Sequence, residues 1–457
     1  MRLHRHALFF LLCASLALPA TAATLAEAID AELTRLFPPA LPGAAVLVVK
    51  DGVTVLNKGY GRANVELNVP MRPEYLFSVA SVGKQFTAAG ILKLAEAGKL
   101  SVGDPIRTYL TGIPPAWDGI TIAHLLQHTS GIGNIFSDPA FRAQSFAPHT
   151  PAQILAQAAR MPLVAPVGSA FFYSSVNYTL LAMIVEHVSG EKYDAYLARQ
   201  FFVPLGMKNT HFNRESTLLN DAVTPYEAGP RLAARWHTTL SFGGGSYTSN
   251  NADLARWTAA LQGGALFRPA TLAAMNAALV LPDGKRVPYG YGLRPHTLAG
   301  QPYLQSNGDT RGYHAELVYM PASKVFVSML TNGEDSLRYG PGPVVKRIAT
   351  MAAGMARHGA VPLAVPEAVL KERAGVYMHG AEQFALQVED GKLQLRSSAR
   401  AGATPMLAIS ANEFYDAANT DFRIHFFTGT DGQQALQRAD IDPLDDAVHP
   451  VFFKVAR

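Results

Sequence analysis

Ser81 and Lys84 lie three residues apart in Phe77-Ser78-Val79-Ala80-Ser81-Val82-Gly83-Lys84-Gln85-Phe86-Thr87. On a helix that spacing sets both side chains on one face. A serine hydroxyl is a competent nucleophile only when a neighbouring base takes its proton. An amine acts as that base only while uncharged, a state that apolar surroundings favour. The residues that follow (Thr87, Ala88, Ala89, Gly90, Ile91, Leu92 and Leu94) predict a helix buried nearly all round, ending near Gly98. A hydroxyl and an amine held together in an apolar interior suit covalent acyl transfer. Ser-x-x-Lys also arises by chance on solvated helix faces, so other segments must decide.

Two further patterns are weaker. His124 and His128 have the i, i+4 spacing of a metal-binding helix, but the glutamate of His-Glu-x-x-His is missing. No metal site is therefore expected. Gly243-Gly244-Gly245 is followed by no Gly-Lys-Ser/Thr, which argues for a tight turn rather than a phosphate loop. A helix capped by Ser or Asn is expected to start near Ala252.

The elements that must hold these residues read as follows. Residues 25–36 have helical spacing. Ala44 to Lys50 and Val53 to Tyr60 read as strands joined by Asp51-Gly52, a hairpin signal. The stretch from about 100 to 235 is mostly helical and rich in loops, clearest at Ile154 to Ala159 and Tyr178 to Ser189. Ala315 to Met320 and Lys324 to Leu330 form a second hairpin, with a helix at about 343–356. Strands at both ends and helices between predict one sheet with an inserted helical subdomain. Val361 to Pro366 reads as a linker. Beyond it, Phe384 to Val388 and Lys392 to Arg396 alternate across Asp390-Gly391, another turn falls at Asp431-Gly432, and Val451 to Val455 makes a last strand. A small β-barrel or sandwich is expected there.

The chain has 457 residues, enough for two or three domains; 49% are hydrophobic and 16% charged, a globular composition. Its N-terminus reads as a secretory signal over residues 1–22: a basic start with Arg2 and Arg5, an apolar run from Ala7 to Leu18, and Ala20-Thr21-Ala22 for cleavage. Without Arg2 and Arg5 the net charge falls from +4 to +2, too little to suggest nucleic acid as a partner. Cys13, the only cysteine, lies in this segment, and Leu12 before it does not fit a lipoprotein signal. The mature chain then has no cysteine for a disulfide, a thiolate metal site or a nucleophile. No later segment is long and apolar enough for stable membrane insertion. The expectation is a soluble protein of the periplasm or the medium.

Four segments join Ser81 and Lys84 in a fixed order. They are His124-Leu125-Leu126-Gln127-His128-Thr129-Ser130-Gly131, Tyr173-Ser174-Ser175-Val176-Asn177-Tyr178, Gly243-Gly244-Gly245-Ser246-Tyr247-Thr248-Ser249, and Ser306-Asn307-Gly308-Asp309-Thr310-Arg311-Gly312-Tyr313. In this order and spacing, residues 40–355 resemble the serine β-lactamase and penicillin-binding-protein superfamily. The nearest branch is that of class C β-lactamases, D-alanyl-D-alanine carboxypeptidases, D-aminopeptidases and β-lactamase-fold esterases. The resemblance implies an α+β fold, with an antiparallel sheet flanked by helices in a hydrolase domain over 23–360. The all-β domain would follow over 367–457.

It also implies roles. Ser81 would form the acyl-enzyme, Lys84 would help remove its proton, and Tyr173 would pass a proton to the leaving group. The backbone N–H groups of Ser81 and Asp309 would form the oxyanion hole, with Ser175, Ser306, Asn307 and Gly308 beside the substrate. No cofactor is implied. Two positions depart from the family pattern: Ser175 stands where relatives have Asn, and Ser306 where many have a cation. Arg294 and Arg311 are the arginines available to compensate, and Asp309 offers a carboxylate to a substrate amine. The expected substrates are small esters, D-amino-acid amides or peptides, or β-lactams. The alternative is a catalytically weak member of the fold that binds peptidoglycan fragments or a protein partner. The oligomeric state stays open.

Overall fold

The computed structural model describes residues 24–212, 219–229, 231–298, 300–334, 337, 340–355, 362–380, 382–397, 402–416, 419–428, 432–439 and 451–455. The expected secretion signal, residues 1–22 with Cys13, lies outside them, as do Val361 of the linker and Asp431 of the last expected turn. Helix α1 (Leu25–Leu36) opens with a capping box in which Thr24 and Glu27 exchange hydrogen bonds. Strands β1 (Ala44–Lys50) and β2 (Val53–Tyr60) form the expected hairpin, with Asp51 and Gly52 both at positive φ. Helices α2 (Lys84–Glu96) and α3 (Ser175–Ser189) follow. The chain then returns through β3 (Arg294–Leu298), β4 (Gln301–Thr310), β5 (Tyr313–Met320), β6 (Val325–Thr331) and α4 (Gly342–Ala352).

These strands make one antiparallel sheet in the order β3-β4-β5-β6-β1-β2. Both ends of the domain build it, as expected, because β1 pairs with β6 from Ala44↔Thr331 to Lys50↔Val325. Strands β3 and β4 are additions that the sequence did not declare. One face of the sheet carries a core with α1 and α4, including Ile29, Leu33, Val327 and Ile348. The other packs on the inserted helices, where α2 is central. Phe86 meets Phe202, Tyr247 and Trp257 edge to face at centroid distances of 5.1, 5.3 and 4.7 Å. This aromatic nest fixes the first turn of α2.

Residues 375–454 form a closed eight-stranded antiparallel barrel: β7 (Gly375–His379), β8 (Glu382–Glu389), β9 (Lys392–Ser397), β10 (Thr404–Ala408), β11 (Glu413–Asp416), β12 (Asn419–Thr428), β13 (Gln434–Ala439) and β14 (Val451–Lys454). Closure through β7 and β14 leaves no sheet edge. Side chains including Tyr377, Phe384, Leu393 and Phe452 fill its interior. Among the described residues, no helix is long and apolar enough to cross a membrane.

Candidate active site

Ser81 lies not on an α-helix but in a 3₁₀ turn, Ala80–Gly83, which runs directly into α2 at Lys84. Three residues per turn eclipse positions i and i+3, so the two side chains meet more closely than on an α-helix. Ala80, just before the nucleophile candidate, has φ +42°, a left-handed conformation unusual for alanine. Lys84 is 1% exposed, and its Nζ lies 3.0 Å from Ser81 Oγ. The same nitrogen donates to the Gly244 carbonyl at 2.6 Å. One turn further along α2, Thr87 Oγ1 donates to the Gly243 carbonyl. The glycine segment is thus a turn clamped to α2, and a helix over Asn251–Gln262 follows, capped by Asn250.

Tyr173 forms the opposite wall. Lys84 Nζ sits 4.9 Å from its ring centroid. The His128 ring packs on it at 4.4 Å. His128 is fully buried and stands at φ +56°, beyond the short helix that ends at Leu126, so it cannot share a helix face with His124. Its Nδ1 accepts N–H groups from Ser174 at 3.2 Å and Asn177 at 3.1 Å. The proton therefore resides on Nε2, which donates to the Tyr289 hydroxyl at 3.0 Å. Burial above all, with Lys84 and Arg294 acting in the same sense, holds His128 well below the usual imidazole range. This neutral histidine is a positioning residue for the Tyr173 wall, which the sequence reading missed. Its signal was the pair Ser174 and Asn177 flanking Ser175. Asn177 is spent there, also accepting from Ser130 Oγ at 2.8 Å, and does not replace the missing asparagine at 175.

The third motif lies on β4, whose backbone presses against the Ser81 turn. A Cβ on Gly308 would come 2.2 Å from the Val79 carbonyl oxygen and 2.8 Å from the Ser81 nitrogen, so only glycine fits. Ser81, Tyr173, Ser175, Asn307 and Asp309 line one open cleft of about 840 Å³. Ser306 does not line it. Side chains alternate along a strand, and the Ser306 hydroxyl points toward α2, accepting from Gln85 Nε2 at 3.1 Å. Gln85 is itself held by Trp257 Nε1 at 3.0 Å. Ser306 thus ties the motif strand to the helix bearing Lys84 instead of facing substrate.

The Asp309 carboxylate receives His314 Nδ1 at 2.6 Å and Asn307 Nδ2 at 3.3 Å. Arg294 and Arg311 both line the cleft, and Arg311 is paired there with Glu227. Strand β3 stops pairing with β4 at Arg294↔Gln305, which leaves the edge from Ser306 to Thr310 without a strand from that side. No described residue beyond 361 lines the cleft.

A buried lysine beside a partly buried serine, at the junction of a sheet and a helical insert, is the geometry that defines the class. The chain belongs to the Beta-lactamase family, whose profile matches residues 30–345. Protein flp of Staphylococcus aureus (strain MW2) is 35% identical over 179 residues, 38% of this chain and 35% of that protein. The match thus spans about a third of the length of that curated relative. The octameric penicillin-binding protein homologue from Pyrococcus abyssi superposes with a TM-score of 0.66 at 25% identity, over 93% of this chain and 99% of that one. D-amino acid amidase from Ochrobactrum anthropi SV3, complexed with L-phenylalanine amide, shares the fold with a TM-score of 0.61 at 22% identity, over 72% of this chain and 97% of that one.

Proposed function

We propose that this protein is an exported serine hydrolase that works through an acyl-enzyme on Ser81. One observation carries the reading: a lysine nitrogen 1% exposed as a residue and 3.0 Å from a serine oxygen. Lys84 in its uncharged form, with the Gly244 carbonyl taking one of its N–H bonds, turns its lone pair to the Ser81 hydroxyl. The hydroxyl oxygen attacks the substrate carbonyl as its proton passes to Lys84. The oxyanion is met by the N–H groups of Ser81 and Asp309. Tyr173 then delivers its proton to the departing oxygen or nitrogen and takes in its place the one that Lys84 removed from Ser81, and water releases the acyl group by the reverse sequence.

Its substrates are small esters, amides or peptides. An extended substrate fits the uncovered edge of β4, where backbone groups from Ser306 to Thr310 stand ready to pair. Asp309 is a poor seat for a substrate amine, since His314 and Asn307 already occupy its oxygens. Residues 1–22 serve as the secretion signal, and the protein acts in the periplasm or outside the cell. The hydrolase domain runs over 23–360 and the barrel domain over 367–457.

A fluorophosphonate probe tests the reading. It is expected to label the wild type on the peptide containing Ser81 and to leave Ser81→Ala unlabelled. Labelling that survives the substitution refutes the assignment, and a wild type that takes no label points to the binding protein instead.

A further inference from the structure

The two ends of the cleft differ in chemistry, and β4 runs from one to the other. At the Ser306 end, Arg294 stands in register with Gln305, its guanidinium 5.3 Å from the Tyr289 ring, which lies 6.2 Å from the ring of Tyr173. At the far end Arg311 follows Thr310, and its guanidinium lies 6.0 Å from the Phe146 ring. The Ser145 carbonyl, next to Phe146, accepts the His237 N–H at 2.9 Å, which brings Trp236 to this same end. Trp236 stacks on Phe136 with centroids 5.2 Å apart and planes at 19°, and both rings line the cleft. The Phe136 backbone is held on both sides, its N–H by Asn134 Oδ1 at 3.3 Å and its carbonyl by Arg142 Nε at 3.2 Å. Phe141 backs its ring edge to face at 6.0 Å. The stack therefore joins two segments distant in sequence into one preformed wall.

No proton-transfer step proposed above uses these rings. Both are only partly buried, and Phe146 beside them is exposed. Apolar area left in water inside a concave site is area that a ligand gains by covering. A flat ring covers it best, lying face or edge against the stack. The N–H groups proposed to receive the oxyanion, those of Ser81 and Asp309, fall between the two ends. With Tyr173 serving the leaving group at the Ser306 end, the acyl part of a substrate runs along β4 toward Arg311 and meets the wall. We infer that the Phe136–Trp236 stack selects substrates whose acyl group carries an aromatic ring. The inference rests on the hydrolase reading for the position of the scissile carbonyl.

Two esters with the same leaving group test it: p-nitrophenyl phenylacetate and p-nitrophenyl isovalerate, each rate divided by that in alkali. Wild type is expected to favour the phenylacetyl ester about 10-fold in kcat/KM, the usual worth of a ring packed on aromatic surface. That ratio should fall to within about twofold in Trp236→Leu, which is apolar without being aromatic, and stay near the wild-type value in Trp236→Phe. Phe136→Leu, should Trp236→Leu not fold, is expected to show the same loss. A stack that serves folding alone slows both esters alike and keeps the ratio, which overturns the inference. So does a wild type without preference, a result that leaves the hydrolase reading intact. S-benzyl and S-isobutyl thioacetate carry the contrast on the leaving group instead. A Trp236-dependent preference confined to that pair puts the stack on the wrong side of the carbonyl and also overturns the inference. If wild type cleaves none of these compounds, the hydrolase reading fails. Equilibrium binding of N-phenylacetylglycinamide and N-isovalerylglycinamide then decides: tighter binding of the first, lost in Trp236→Leu, upholds the aromatic site, and equal Kd values refute it.

Discussion

Gly308→Ala is the sharpest single perturbation, because it adds one methyl group where the strand proposed to hold the oxyanion meets the turn of the proposed nucleophile. The new carbon would lie 2.2 Å from the Val79 oxygen, 2.8 Å from the Ser81 nitrogen and 3.0 Å from the Val82 nitrogen. All three are backbone atoms, so no side chain can swing aside. Restoring ordinary contact requires β4 to retreat by about 1 Å. That movement carries the Asp309 N–H away from the point where charge develops on the substrate oxygen. Loss of a comparable donor costs roughly 10²–10³ in rate, and a 1 Å misplacement alone costs about 10². Overpacking should lower stability by only about 1–3 kcal/mol. The assay is the pre-steady-state acylation rate with p-nitrophenyl acetate, with near-ultraviolet circular dichroism to confirm native packing. A folded variant that acylates within about threefold of wild type would refute both the tight strand–turn packing and the oxyanion role of residue 309.

Tyr173→Phe keeps the ring against His128 and Lys84 and removes only the hydroxyl; kcat is expected to fall by roughly 10²–10⁴ with an unchanged melting curve, and near-normal turnover would remove the phenol from the relay. Glu316 provides a test of stability. It lies on β5, buried opposite Asn307, and accepts from Gln305 Nε2 at 2.6 Å. Burial pushes its carboxyl from 4.5 up to about 7. The native state therefore keeps a proton that the unfolded chain loses above about pH 4.5, so stability declines as pH rises through 7. At about 1.4 kcal/mol per pH unit the full effect is on the order of 3 kcal/mol. Glu316→Gln should flatten this decline between about pH 4.5 and 7 in urea unfolding; equal slopes in the two proteins would contradict it.

Much of this arrangement was legible from local chemistry. The Asp51-Gly52 turn between alternating runs announced β1 and β2, whose bounds match the reading residue for residue. Asp390-Gly391 and the period-two strands announce a small barrel or sandwich, and the structure closes it as a barrel. Strand β4 was harder to read. Gln305, Ser306, Asn307, Gly308 and Asp309 lack a hydrophobic rhythm because the site requires polar groups and a glycine there. With the strand unseen, its parity was unseen too, and Ser306 was assigned to substrate although its hydroxyl faces Gln85. Ser81 was read as helical since the apolar run is continuous, but the positive φ of Ala80 and a turn of three residues interrupt it, features no periodicity encodes. The positioning role of His128 is illegible in the sequence for a related reason. Its role depends on Ser174, Asn177 and Tyr289, which are distant in sequence and come together only in the fold.

The account turns on Lys84 as the group that takes the Ser81 proton. Lys84→Met keeps most of the buried volume and removes the nitrogen, so the rate constant for Ser81 acylation by p-nitrophenyl acetate isolates that role. The expected result is a fall of about 10³-fold or more in a variant that melts as a folded protein. Acylation of Ser81 within about tenfold of the wild-type rate would contradict the serine–lysine mechanism.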